Sequence, residues 1–103
     1  MVYNKLVRDK IPEIIEKQGQ KPNIRIMEEG EYILALEQKL DEEVGEFHRD
    51  KNTEELADIL EVVFALARTL DCSQEQLMQV YQKKHDIRGG FGQRIFLISK
   101  EDV

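Results

Sequence analysis

The chain has 103 residues, 41% of them hydrophobic, and a formal charge of −6, enough for one modest core and too little for two, so residues 1–103 are expected to form a single domain. The acidic balance excludes a general nucleic-acid or anionic-membrane surface, because phosphate polymers need a basic footprint; small anions must then be met by local basic clusters. Cys72 is the single cysteine, which excludes an internal disulfide and suits a reducing cytosol.

Met1–Lys10 is charged and lacks the apolar run of a signal peptide, and the longest unbroken apolar run, Val62–Ala67, is far below membrane-spanning length. A cytoplasmic protein is expected. The first element is a short helix over Leu6–Lys17, with Pro12 near its start and Gly19 and Pro22 ending it. Asn23–Met27 alternates as an extended connector does, and Gly30 marks the entry to the next periodic stretch.

From Glu31 to about Asp50, Ile33, Leu36, Leu40, Val44 and Phe47 recur at spacings of three and four, the mark of one helical stripe. Asn52 and Thr53 are good N-cap types ahead of Glu54 and Glu55, so a third helix starts there and runs to about Leu70. Its apolar residues occupy nearly every face, which predicts burial on most sides. Ser73 caps a fourth helix from Gln74 to about Ile87, stopped by Gly89 and Gly90. Arg94–Ile98 reads as a short strand or a packed tail, and Phe91 as a core residue. The fold expected is all-α: a helical bundle built around an antiparallel helix hairpin and completed by oligomerisation.

Chemistry is concentrated in acidic residues at helical spacing. Glu42, Glu43 and Glu46 on the second helix read EExxE, and Glu55 and Asp58 on the third read ExxD. At about 100° per residue, Glu43 and Glu46 flank the apolar stripe on a side shared with Lys39 and Asp50, while Glu42 lies further round. Glu55 and Asp58 share theirs with Val62 and Ala65, a side no solvated face would prefer. Carboxylates drawn together there repel unless a cation lies between them, and all-oxygen ligands select hard ions, Mg²⁺ first and Mn²⁺ as its substitute. The plainer alternative is a set of exposed charges in an acidic protein.

Phosphate chemistry also needs cations, and two groups offer them. Lys84 and Arg88 continue the apolar stripe of the fourth helix, and Lys5, Arg8 and Lys10 surround Asp9 near the N-terminus, where surface charge is the ordinary explanation. His48 and His85 have no partner at ligand spacing and are assigned to no metal.

Three segments, KLDEEVGEF (Lys39–Phe47), EELADILEV (Glu54–Val62) and KKHDIRGGF (Lys83–Phe91), together resemble the MazG-like and phosphoribosyl-ATP pyrophosphohydrolase-like superfamily of all-α NTP pyrophosphohydrolases. The opening YNKLVRDKIPEII is similar to a subgroup of it. The resemblance implies Mg²⁺ held by Glu43, Glu46, Glu55 and Asp58, with Glu42 as an outer support or as the base orienting a water. It implies that Lys84 and Arg88 grip phosphates; Lys39, Lys5 and Arg8 complete the expected substrate-binding set. The interval between the two acidic motifs is shorter than in typical MazG members, which predicts either a tighter helix hairpin or a slightly rearranged metal set.

The expected function is hydrolysis of the α–β bond of a nucleoside triphosphate or phosphoribosyl-ATP-like substrate to monophosphate and pyrophosphate, in nucleotide-pool house-cleaning. The expected assembly is a homodimer or homotetramer that binds neither a nucleic-acid polymer nor a membrane. The rival expectations are a non-catalytic acidic helical dimerisation or binding module and a nucleotide sensor.

Overall fold

The computed structural model describes residues 2–103. It is all-helical, with four helices in order, α1 (Ile11–Lys17), α2 (Glu29–Asp50), α3 (Thr53–Thr69) and α4 (Gln74–Arg88), and no strand among the described residues. No helix among these residues is long and apolar enough to cross a membrane.

α1 starts at Ile11 rather than Leu6. A helix begun at Leu6 would place Pro12 in its interior, without the N–H that should reach back one turn and with its ring against a carbonyl; as the second residue of α1 it costs neither. The end falls where Gly19 predicts. Gly19 takes φ +81°, and the Gly19 and Gln20 amides donate to the Glu16 and Ile15 carbonyls at 3.0 and 3.2 Å, a Schellman closure.

A connector without regular secondary structure leads into α2, whose first turn is tied back by Arg25, donating to both Glu31 oxygens at 2.7 and 2.6 Å. Gly30 lies inside the first turn instead of before it. Lys51 ends α2 in the left-handed region (φ 50°), and Asn52 caps α3 by accepting the Glu55 N–H at 3.0 Å, so only these two residues connect the helices. Ser73 and Gln76 form a reciprocal capping box at the head of α4.

α2 packs against α3, and α3 against α4; no other helix pair among the described residues is in extensive contact. The core is small, made of Leu36, Val62 and Ala65 with Leu6, Tyr32, Leu40 and Leu66 packed around it. The stripe predicted on α2 is the face turned inward: Leu36 is buried and Ile33, Leu40, Val44 and Phe47 are half-buried. α3 departs from expectation. Val62, Ala65 and Ala67 are buried, but Leu56, Leu60 and Leu70 are exposed, because among the described helices only α2 and α4 pack against α3.

The C-terminal segment departs further. Arg94–Ile98 is neither strand nor packed tail, and Phe91 is 98% exposed instead of buried in a core. No strand among the described residues offers this segment a sheet edge, and its apolar side chains stay in solvent. The molecule measures 68 × 32 × 21 Å with a radius of gyration of 18.6 Å, against about 13 Å for a compact chain of this length.

Candidate metal centre

The paired helices bring two carboxylates each to one place. Glu43 and Glu46 lie one turn apart on α2, and Glu55 and Asp58 one turn apart on α3, so each pair points from a single side of its helix. The Asn52 cap fixes the first turn of α3, and the amide it accepts belongs to Glu55 itself. One oxygen from each of Glu43, Glu46, Glu55 and Asp58 lies within 4.8 Å of the other three. The short interval between the motifs therefore does not prevent convergence.

The electrostatics of the cluster are unbalanced. Glu43 is only 7% exposed, and one oxygen each of Glu43 and Glu55 (Oε2 in both) is buried with no hydrogen-bond donor in reach. Burial pushes the Glu43 carboxyl above its ordinary range; the neighbouring Glu46 carboxylate and the charge of Asp58 push the same way, and Lys39 offsets part of this. Glu55 is raised by burial first, then by Glu46, Asp50 and Asp58. Unpartnered buried carboxylate oxygens are costly, and either a proton or a cation relieves them. Four hard oxygen donors are a set that fits Mg²⁺ or Mn²⁺ and suits neither a thiolate- nor an imidazole-seeking metal.

Two cations of the chain reach the cluster. The Lys39 ammonium lies 3.7 Å from Glu43 Oε1 and 3.6 Å from Glu42 Oε1. Arg8 donates from Nη1 to Asp58 Oδ1 at 3.3 Å and from Nη2 to Glu61 Oε1 at 3.2 Å. Glu42 is exposed and stands outside the four-carboxylate set, as its position further round the helix predicts. With Lys39, Lys5, Asn4 and Gln38 it borders a cavity of about 140 Å³ between the N-terminal segment and α2.

Lys84 and Arg88 are not brought to the cluster. They lie on the exposed part of α4, which packs against α3 and not α2. His48 and His85 stand beside Phe47 and Tyr81 and join no metal-binding group among the described residues. Glu61 is a residue that sequence reasoning misses. Its signal was present, since Glu61 continues the three-residue spacing of Glu55 and Asp58.

No protein-family profile matches the chain, and no solved structure matches it. A stretch of 41 residues is 56% identical to an uncharacterized protein of Mycolicibacterium smegmatis, covering 40% of this chain and 42% of that protein. The chain thus matches less than half the length of that relative.

Proposed function

We propose that this chain is a nucleotide pyrophosphohydrolase dependent on Mg²⁺, with Mn²⁺ as the substitute. It cleaves the α–β bond of a nucleoside triphosphate or phosphoribosyl-ATP-like substrate to a monophosphate and pyrophosphate, as a cytoplasmic house-cleaning enzyme of the nucleotide pool. The observation that carries this reading is the convergence of Glu43, Glu46, Glu55 and Asp58, with one buried oxygen of Glu43 and one of Glu55 left without a hydrogen-bond partner. The resemblance of the three motif segments supplies the reaction.

Glu43, Glu46, Glu55 and Asp58 would hold the ion, which supplies electrostatic stabilisation and positioning of the phosphates when bound. In-line attack by water on the α-phosphorus forms the new P–O bond as the bond to the bridging oxygen breaks, and pyrophosphate leaves with that oxygen. Glu42, exposed beside the cluster, would orient the water or support the ligand set from outside. Lys39 compensates Glu43, and Lys5 and Arg8 stand at the rim, within the part of the chain that would meet phosphates.

Lys84 and Arg88 would grip the phosphates from a neighbouring copy, since their own helix does not reach the cluster. This reading requires assembly: an antiparallel α2–α3 hairpin completed into a bundle in a homodimer or homotetramer. The exposed Leu56, Leu60, Val80 and Phe96 side chains support it.

The test is pyrophosphate release from canonical, deoxy, oxidised and phosphoribosyl nucleotides, with Mg²⁺ and with EDTA. Metal-dependent release is expected from at least one of them, and Glu46→Gln should lower it on the order of 100-fold or more while leaving the helical circular dichroism intact. Silence across the panel with Mg²⁺ bound would favour a nucleotide sensor. Silence without Mg²⁺ binding would leave a plain helical module.

A further inference from the structure

Glu61 lies three residues beyond Asp58 on α3, and Arg8 arrives from the segment before α1, more than fifty positions away in sequence. The guanidinium is divided between them, one nitrogen on Asp58 Oδ1 at 3.3 Å and the other on Glu61 Oε1 at 3.2 Å. Asp58 belongs to the four-carboxylate cluster and Glu61 does not. A full positive charge beside a ligand oxygen lowers the negative potential that an incoming cation meets. An Arg fork left with one carboxylate closes on it through both nitrogens. The pair also borders an open depression of about 260 Å³ over Leu60 and Phe64, which gives the guanidinium room to move.

We infer that Glu61 is a positioning residue: it draws half of the Arg8 fork away from Asp58, and so sets how strongly Arg8 competes with a divalent ion for that corner of the cluster. The inference rests on the metal reading above and adds an internal competitor to it. Divalent binding at Asp58 releases Arg8, with Glu61 as the pivot, and frees a cation of the N-terminal segment for phosphate.

Titration calorimetry with Mn²⁺ alone tests this on the wild type, Arg8→Ala, Glu61→Gln and the double variant. Arg8→Ala should tighten Mn²⁺ binding about two- to five-fold, and Glu61→Gln should weaken it by a similar factor; the side chains are 41 to 63% exposed, which limits the effect to that of a surface ion pair. The double variant should bind as Arg8→Ala does, since Glu61 acts only through Arg8. A double variant that returns to the wild-type affinity would mean two independent charges and overturns the positioning role, as would unchanged or weaker binding in Arg8→Ala. If Arg8→Ala does not fold, Arg8→Lys keeps a cation without the fork, and Glu61→Gln added to it should change affinity little. Amide exchange gives the second readout: Mn²⁺ should speed exchange in residues 5–10 of the wild type and leave it unchanged in Arg8→Ala. No Mn²⁺ heat from the folded wild type would overturn the metal reading itself, and this inference with it.

Discussion

Burial removes from Glu43 most of the water an anion needs, Glu46 and Asp58 add repulsion, and Lys39 offsets a single charge. Because its folded-state carboxyl is raised above the ordinary 4.5, the folded chain binds protons there more readily than the unfolded one. The stabilisation from this group is complete below the ordinary value and is lost as pH rises through the raised one. Metal-free protein should therefore melt at a lower temperature near pH 7 than near pH 5 through this group, and Glu43→Gln should shrink that difference, which a pH series of melting curves measures. The same substitution should raise the metal-free melting temperature near neutrality and abolish stabilisation by millimolar Mn²⁺. A Glu43→Gln protein that melts lower without metal and still responds to Mn²⁺ would remove Glu43 from the ligand set. Glu43, Glu46, Glu55 and Asp58 were legible in the sequence because each pair repeats at the helical period beside apolar residues. The Arg8 pairing with Asp58 and Glu61 was not, since a contact across fifty positions has no local period to announce it.

Among the elements, the caps connect folding to the site unequally. Asn52 accepts the amide of a cluster residue, Glu55, whereas the Ser73 box closes on Gln76, outside the cluster. Each cap lost to Ala should cost about 1 kcal/mol of stability. Only Asn52→Ala should also weaken Mn²⁺ binding, and comparing denaturation with calorimetry on the two variants separates these effects; equal loss of affinity in both would mean that the cap does not hold Glu55 in place. Both caps could be read directly, because Asn and Ser ahead of helical periodicity have few other uses. α1 starts five residues later than its apolar pattern predicts, at Ile11 instead of Leu6, since that pattern runs on through Leu6 and Val7 while Pro12 decides where a helix can begin. The sequence predicts α3 buried on most sides because apolar residues announce that a face will be covered without saying by which chain.

At the scale of the whole molecule, a radius of gyration of 18.6 Å and a core of few residues leave Leu70, Ile87, Phe91, Ile95, Phe96 and Ile98 in water. A chain this small gains little from such a core, and burying these residues between copies would add what it lacks. Sedimentation equilibrium should give a mass of two or four protomers, and Phe96→Asp with Ile98→Asp should lower it and the melting temperature together. A wild type sedimenting as one protomer would defeat the assembly, and with it delivery of Lys84 and Arg88 from a second copy. The all-helical architecture followed from periodicity and caps alone, whereas the fate of the tail did not, because an apolar run such as Ile95–Ile98 has no preference of its own until something faces it.

All four carboxylates of the cluster fall between Glu43 and Asp58, so an ion held there closes only a short stretch of chain around the two-residue link at Lys51 and Asn52. Closing a short loop removes little freedom from the unfolded ensemble, and none from segments outside it. An ion bound there would act as a local staple, stiffening the middle of the chain while leaving the placement of α4 and the C-terminal tail to be settled by whatever packs against them.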